Sequence, residues 1–337
     1  KEDTLKVIGM LSLQIRANRE KVLTWEGTVE FVFDRYYRGE QAASALEQKK
    51  FYKPKEAGIP NTVKTTKMGT IKYILDTSKK SHYEKVTRAE PIRYFDGNGS
   101  ELGSESGPYE AVSIVTPDSY VHSLALMPEG RIVGHSTKRE SVTGDNVLSK
   151  KGVFDPQTHL KLGMPIWEYL DRVRKLHEEN GKLHIGGRAI EVRGRVNNGK
   201  AEYVILSPYM QGSPAEPGSP SGYMNLCFSE DAGLNLVTME LTNVDGKVLQ
   251  QVEWDYVTLG EIVIPREMRR RNYMEDGKVW YEAKYVFSDQ KLNRLVAPGT
   301  FTYENLGLLD GDVIVDEVAK KKFRYEAATQ TLKPAEQ

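Results

Sequence analysis

Cysteine is almost missing from this chain, since Cys227 is the only one among 337 residues. A single cysteine excludes an internal disulfide and any metal site built from several thiolates. Cys227 lies in the apolar run 223–228 with no basic residue adjacent, so the sequence does not indicate a nucleophilic thiol. We expect a small, buried side chain at this position.

The chain also has no surplus of either charge, because 47 lysines and arginines balance 47 aspartates and glutamates. Binding to phosphates of a nucleic acid needs a basic surplus or a strongly basic face, so we expect no nucleic-acid partner. No run of 18 apolar residues occurs, and the sequence therefore predicts no transmembrane segment. The chain opens on Lys1, Glu2 and Asp3 without a charged-then-apolar leader, which fits a secreted chain whose signal peptide has been removed.

Signatures of catalysis are missing as well. The sequence contains no Gly-x-Ser-x-Gly elbow, and its glycines do not take the spacing of a phosphate-binding loop. His122 precedes Ser123 and His135 precedes Ser136, but neighbours on a strand point to opposite faces. The segment 310–312 lacks most of a calcium loop and indicates a turn. We expect no enzyme, no cofactor and no metal; a facing pair of carboxylates, as in glycosidases, stays open because the pattern selects none.

What the chain does contain is a series of four strands between residues 234 and 287. Apolar and aromatic residues mark strands at 234–242, 248–259, 262–273 and 279–287. The turns between them are too short for a parallel crossover, and two of them carry an Asp-Gly pair that suits a tight hairpin. The segment therefore predicts an antiparallel meander.

Alternation within these strands predicts which face of the sheet is covered. Val252, Trp254 and Tyr256 share one face of the second strand, and Tyr281 and Tyr285 follow the same spacing in the fourth. Charged and amide side chains alternate with them on the opposite face. A period of two with aromatic residues on one side is typical of a sheet with one covered and one wet face.

Two helices are predicted, at 4–22 and 164–180, because apolar residues recur there at three- and four-residue steps. The first helix leads directly into a strand at 24–33. Trp25 and Phe31 share one face of that strand. We therefore expect this helix to pack on the apolar face of the sheet to which the strand belongs.

The length of the chain permits one or two domains. We predict a single domain over residues 1–325, followed by a polar tail at 326–337. We expect three insertions in this domain, near 38–65, 100–165 and 207–221.

Several features together resemble the periplasmic lipoprotein-carrier superfamily, which includes LolA-type and outer-membrane lipoprotein-sorting domains. These features are the apolar N-terminal helix, the strand beginning at Trp25, the many antiparallel strands, and Ile264-Pro265-Arg266 in a late strand. The segment 301–316 resembles the closing part of large secreted bacterial members of that superfamily.

This resemblance implies a mainly β (α+β) fold, in which a curved antiparallel sheet forms an incomplete β-barrel, or half-pipe, with helices packed on its concave face. It implies a non-enzymatic periplasmic or secreted protein that holds a lipid, a lipoprotein acyl chain or another apolar ligand between the N-terminal helix and the sheet. The residues expected to line the ligand site are Leu11, Ile15, Trp25, Phe31, Tyr73, Val252, Trp254, Tyr256, Tyr281 and Tyr285.

A second hypothesis stays open for the same residues. The aromatic side chains can instead fill a permanent core against the helices, and that interpretation is favoured for them individually. The protein would then be a structural or protein-interaction module of the cell envelope, with an envelope protein as its partner.

The densest basic cluster of the sequence is formed by Arg266, Arg269, Arg270 and Arg271. Such a cluster fits an anionic headgroup or an acidic partner. It also fits an edge strand that is kept soluble by its charge, and we favour this second interpretation.

Overall fold

The computed structural model describes residues 2–47, 49–52, 58, 60–105, 109–117, 119–126, 130–138, 166–180, 184–185, 188–197, 199–209, 222–316 and 321–335. The chain divides into two compact units. Unit 1 comprises Lys1–Lys21, Phe33–Tyr36 and Pro156–Val286, and unit 2 comprises Val22–Val32, Tyr37–Asp155 and Phe287–Gln337. The single domain expected over residues 1–325 stays a prediction.

The described residues form three α-helices and twenty β-strands. The helices are α1 (Glu2–Glu20), α2 (Glu40–Glu47) and α3 (Ile166–Asn180). The strands are β1 (Thr24–Arg38), β2 (Thr62–Asp76), β3 (Ser81–Arg88), β4 (Ile92–Asp96), β5 (Glu101–Glu105), β6 (Tyr109–Val115), β7 (Ser119–Leu126), β8 (Gly130–Lys138), β9 (His184–Ile185), β10 (Arg188–Ala189), β11 (Glu191–Asn197), β12 (Lys200–Tyr209), β13 (Gly222–Ser229), β14 (Asn235–Asn243), β15 (Val248–Leu259), β16 (Ile262–Tyr273), β17 (Val279–Leu292), β18 (Val313–Asp316), β19 (Lys321–Glu326) and β20 (Thr331–Pro334).

Unit 1 is built on an antiparallel meander. Strands β11 to β16 and the first part of β17 pair in sequence order, each with the next. The meander predicted between residues 234 and 287 is therefore confirmed as β14 to β17, although β17 continues to Leu292. Strands β9 and β10 form a separate two-stranded ribbon.

The hairpin turns predicted from the Asp-Gly pairs are confirmed by the backbone. Gly246 and Gly277 have φ of 82° and 78°, a left-handed conformation in which a residue with a Cβ is strained. The amide of Gly246 donates to the carbonyl of Asn243 at 3.1 Å, and that of Gly277 donates to Met274 at 2.9 Å. These turns fix the register of the strands on both sides of them.

Helix α1 buries the apolar stripe from which it was predicted. Ile8 and Leu11 are 0% exposed and Ile15 is 4% exposed. Leu13 is 63% exposed, so it lies outside the buried stripe. Helix α3 packs along α1 and contributes the buried Leu170 to unit 1.

Unit 2 contains a second set of paired strands. Strand β2 pairs with β4 along its first part and with β3 along its second part. Strand β3 pairs with β6, β6 with β7, and β7 with β8. Strands β8 and β18 pair in parallel, while β18, β19 and β20 are antiparallel. Helix α2 covers β2 at one end, where Ala42, Leu46 and Val63 are buried together.

The polar tail predicted at residues 326–337 contains a strand. Strand β20 (Thr331–Pro334) pairs with β19, and Tyr325 of β19 is buried. The tail is polar in composition but continues the sheet of unit 2, because its backbone groups find partners on β19.

The predicted fold class is confirmed. Strands outnumber helices among the described residues, and nearly all of their pairings are antiparallel. In unit 1, α1 packs on β11 and β16, and α3 packs along α1, in keeping with a mainly β (α+β) fold with covering helices.

Replacing Gly69 with alanine is expected to destabilise the protein by about 1 to 3 kcal/mol, since an added Cβ overfills a packed site. A Cβ at this position in β2 would lie 2.6 Å from the Phe31 ring and 2.6 Å from the carbonyl oxygen of Thr87. Gly194 in β11 is the matched control, because its added Cβ meets nothing closer than 4.0 Å. Urea denaturation of both variants measures the difference, and equal midpoints would contradict the prediction.

Candidate functional site

The basic cluster lies in the middle of the meander of unit 1. Strand β16, which carries all four arginines, is paired on one side with β15 and on the other with β17. The edge-strand interpretation of this cluster is therefore wrong. Charge is not needed on an inner strand to prevent pairing with another molecule, so the arginines require a different explanation.

Three of the four arginines form ion pairs. Arg269 and Arg271 approach Glu282 at 3.7 and 3.1 Å, and Arg271 also approaches Glu253 at 3.5 Å. The Arg266 Nε donates to Asp255 at 2.6 Å. These pairs lie on the face for which the sequence predicted charged residues. They explain three of the arginines as partners in a solvated ladder of opposite charges.

The fourth arginine, Arg270, lies on the other face of β16. Residues opposite each other in neighbouring strands share a face, and the register places Val252 of β15 and Ala283 of β17 beside Arg270. Val252 and Ala283 are buried, while Arg270 is half-buried. Alternation along β16 thus sends this guanidinium to the aromatic face of the meander.

The aromatic face is arranged in three rows that cross β15, β16 and β17. The rows are the apolar row (Trp254, Met268 and Tyr285), the arginine row (Val252, Arg270 and Ala283) and the amide row (Gln250, Asn272 and Tyr281). Successive rows are about 7 Å apart, because two residues of a strand separate them. The face therefore changes from apolar to polar along the strands over about 14 Å.

Arg270 is held by an amide and an aromatic ring. Its Nε donates to the Asn272 Oδ1 at 3.2 Å, and its Cζ lies 5.6 Å from the centre of the Tyr281 ring. Burial lowers the pKa of Arg270, while the nearby Tyr281 and Tyr285 oppose that shift. The cation–π contact stabilises the guanidinium without neutralising it.

Tyr281 and Tyr285 form an aromatic cluster with Phe33 of β1. The Phe33 ring centre lies 6.3 Å from that of Tyr281 and 5.4 Å from that of Tyr285. Burial raises the pKa of Tyr281, with Arg270 and Arg35 opposing, and burial also raises the pKa of Tyr285. Both phenols are therefore neutral near pH 7, and the cluster is an uncharged, aromatic surface close to Arg270 and Arg35.

Hydrogen bonds hold α1 to the sheet and to α3. The Asn18 Nδ2 donates to the carbonyl of Val263 at 2.7 Å, and the amide of Val263 donates back to the Asn18 Oδ1 at 3.0 Å. At the α3 side, the Ser12 Oγ and the Arg16 Nη2 each donate to Asp171 at 2.7 Å. These contacts fix the position of α1 within unit 1.

A shallow groove of about 780 Å³ lies on α1 outside its buried stripe. Its lining includes Leu5, Gly9, Met10, Leu13 and Arg174. None of the residues predicted for the ligand site belongs to that lining. The groove is therefore separate from the aromatic face of the meander.

Seven of the ten predicted site residues belong to unit 1. Leu11, Ile15, Val252 and Tyr285 are buried in its core, whereas Trp254 and Tyr281 are half-buried. The role of these residues as ligand contacts stays a prediction.

Tyr256, also in unit 1, differs in its surroundings. The register between β15 and β16 shifts between Asp255 and Tyr256, because Arg266 is an extra residue in β16, and Tyr256 lies opposite Pro265. Its hydroxyl donates to the carbonyl of Leu236 at 2.7 Å, and burial raises its pKa. This contact ties β15 to β14 and makes Tyr256 a structural residue.

The other three predicted residues, Trp25, Phe31 and Tyr73, belong to unit 2. All three are buried, and the Trp25 and Tyr73 rings meet edge to face with centres 5.8 Å apart. The Trp25 Nε1 donates to the Gln290 Oε1 at 3.1 Å. Their surroundings are those of packed core residues.

Sequence reasoning missed Arg270 and Phe33 as members of the aromatic face. The alternation along β16 is the signal that could have identified Arg270. Met268, Arg270 and Asn272 share one face of the strand, and Arg269 and Arg271 share the other. Because four arginines lie close together, the segment was interpreted by its charge, and the distribution of the arginines over two faces was overlooked.

Other chemistry is limited in the described part of the chain. It contains no group of three or more His, Cys, Asp or Glu side chains placed to hold a metal ion. No helix among these residues is both long and apolar enough to cross a bilayer. Cys227 is buried as expected, and burial raises the pKa of its thiol.

Comparisons with known proteins find similarity in structure and none in sequence. No family model matches the chain, and no curated protein matches it. A DUF1329 family protein from Desulfovibrio piger is 8% identical, with a TM-score of 0.41 and coverage of 90% of this chain and 99% of that one. An outer membrane lipoprotein-sorting protein domain from Vibrio parahaemolyticus is 9% identical, with a TM-score of 0.40 and coverage of 88% and 98%.

A LolA superfamily protein from Nitrosomonas europaea is 11% identical, with a TM-score of 0.35 and coverage of 88% of this chain and 98% of that one. Two of these three similar structures thus carry the descriptions of the superfamily that the sequence resembles. All three TM-scores are below 0.5, and the fold class rests on the strand pairing of this chain.

Proposed function

We propose that the protein is a non-enzymatic binding protein that holds a lipid, a lipoprotein acyl chain or another apolar ligand. The ligand lies on the aromatic face of the meander in unit 1, on the side that α1 covers. The mechanism is sequestration, in which α1 serves as a lid that moves to admit the ligand. We place the protein in the periplasm or outside the cell.

The observation that carries this proposal is the partial burial of the aromatic face. Trp254, Tyr281 and Phe33 keep exposed surface although they lie on the same side of the sheet as fully buried residues. Aromatic surface that the chain itself does not bury completely gains free energy when an apolar ligand covers it. Phe33 and Tyr281 also contact each other, so this surface is continuous.

A second candidate function is a structural or interaction module of the cell envelope. It is favoured by the complete burial of Ile8 and Leu11, since a filled contact between helix and sheet leaves no room for a ligand beneath the middle of α1. In that case the partly exposed aromatic residues contact a partner protein.

Native mass spectrometry of the protein purified from bacterial cells, followed by organic extraction, tests the proposal. We expect an apolar ligand to copurify with the wild type and to be lost from the variant Trp254→Lys. A lysine in the apolar row places an unpaired charge where the ligand lies.

Thr258→Lys is the matched control, because it adds the same charge to an exposed position of the same strand. This variant should retain the ligand, and circular dichroism should show that both variants are folded. A wild type that is free of ligand and takes up neither fatty acid nor lipopeptide would favour the envelope module.

A further inference from the structure

Arg270 differs from the other arginines of β16 in having no carboxylate beside it. Arg266, Arg269 and Arg271 each approach an aspartate or glutamate within 4 Å. Within the described residues Arg270 forms no such pair, and its one hydrogen bond goes to the neutral amide of Asn272. In the described part of the meander, the charge of Arg270 is therefore not balanced by a carboxylate.

A half-buried cation without an anion is costly in a folded protein. Removing a charged group from water is unfavourable unless an opposite charge or several hydrogen bonds replace the water. The chain places Arg270 between the buried Val252 and Ala283 and over the Tyr281 ring, where hydration is reduced. An anion supplied from outside the chain would offset that cost.

The donors of Arg270 suit such an anion. Its Nε is engaged by Asn272, and the two Nη groups have no hydrogen-bond partner among the described residues. A guanidinium offers paired N–H donors whose spacing matches the oxygens of a carboxylate or phosphate. The neighbouring amide row adds the side chains of Gln250 and Asn272 on the polar side.

The three rows give a direction to a ligand bound at Arg270. Trp254, Met268 and Tyr285 lie about 7 Å from the arginine row on the side opposite to the amides. A molecule with an acidic head at Arg270 therefore has the apolar row on one side and the amide row, with the Tyr281 ring, on the other. Its tail would extend along the apolar row, and its headgroup would lie toward the amide row.

We infer that the ligand of the aromatic face is an anionic amphiphile, whose carboxylate or phosphate headgroup is bound by Arg270 and whose apolar tail lies along the apolar row. This inference rests on the proposed function and adds the chemical class of the ligand. Arg270 acts as the residue that selects an acid over a neutral lipid of the same length.

Isothermal titration of the 337-residue chain with four compounds tests the inference. The compounds are dodecanoate, dodecyl phosphate, dodecanol and inorganic phosphate, used at one ionic strength and below their micelle concentrations. The two acids should bind roughly 10- to 100-fold more tightly than dodecanol, which is the range expected for a hydrogen bond to a charged group. Inorganic phosphate should bind far more weakly than dodecyl phosphate, because it lacks the tail.

Variants then assign the difference to one side chain. Arg270→Gln should weaken binding of dodecanoate to the level of dodecanol and leave dodecanol unchanged. Arg269→Gln, one residue away on the opposite face, should leave all four affinities unchanged. Arg270→Lys should retain part of the preference for acids, because it keeps the charge and loses the fork of donors.

The outcomes separate this inference from the function on which it rests. Equal affinities of the wild type for dodecanoate and dodecanol would overturn the headgroup assignment and leave the proposed function standing. Failure to bind any dodecyl compound would overturn both. Equal binding of inorganic phosphate and dodecyl phosphate would replace the amphiphile with a free anion, and the comparison within the wild type holds even if Arg270→Gln does not fold.

Discussion

Replacing Trp25 with alanine lowers the free energy of unfolding by about 3 to 5 kcal/mol, the range found when a buried tryptophan is truncated. Trp25 is 0% exposed, meets Tyr73 edge to face, and donates from its Nε1 to Gln290. The truncation removes apolar burial, leaves a cavity and leaves the Gln290 amide without this donor. Urea denaturation followed by circular dichroism measures the loss.

Trp25→Phe is the graded control for this prediction. Phenylalanine retains most of the apolar burial and the contact with Tyr73, but it cannot donate to Gln290. We expect it to recover more than half of the loss. An alanine variant that is as stable as the wild type would contradict the packing role of Trp25.

Replacing Asn18 with alanine should lower the free energy of unfolding by about 2 to 4 kcal/mol, because two hydrogen bonds are lost and two backbone groups of Val263 are left without them. Asn18 is 7% exposed, so water reaches this site poorly. Asn18 supplies the donor and the acceptor that a neighbouring strand would otherwise offer to Val263. The measurement is again urea denaturation, with hydrogen exchange of α1 amides as a second readout.

Gln14→Ala provides the comparison, since Gln14 is exposed on the same helix and alanine favours helix formation. That variant should be at least as stable as the wild type. If Asn18→Ala matches it, the bonds to Val263 do not hold α1 to the sheet. If Asn18→Ala is less stable and its α1 amides exchange faster, the hydrogen bonds between Asn18 and Val263 are those that must break when α1 moves as a lid.

The strands of the meander could be predicted from the sequence because three local signals agree there. Alternation, β-branched and aromatic residues, and glycines at turns that need positive φ all indicate the same boundaries for β14 to β17. The helix α1 followed from its apolar spacing in the same way. These signals require only neighbouring residues, so one sequence is enough.

The candidate site could be predicted only in part, because its geometry depends on pairings that are distant in sequence. The shift between Asp255 and Tyr256 changes the surroundings of Tyr256, and no local pattern marks that shift. Asn18 and Val263 are 245 residues apart, and their contact has no signature in either segment. The lack of a carboxylate beside Arg270 becomes apparent only when the structure locates the carboxylates that pair with the neighbouring arginines.

The division of unit 1 into separate chain segments has a consequence for biosynthesis. Helix α1 belongs to the segment that ends at Lys21, and the rest of its unit, apart from Phe33–Tyr36, begins at Pro156. At translation rates of about 5 to 20 residues per second, roughly 7 to 27 s separate these two points. Throughout that interval the nascent chain carries Ile8, Leu11 and Ile15 with nothing to bury them against, so we expect the N-terminal segment to be the first binding site for a chaperone.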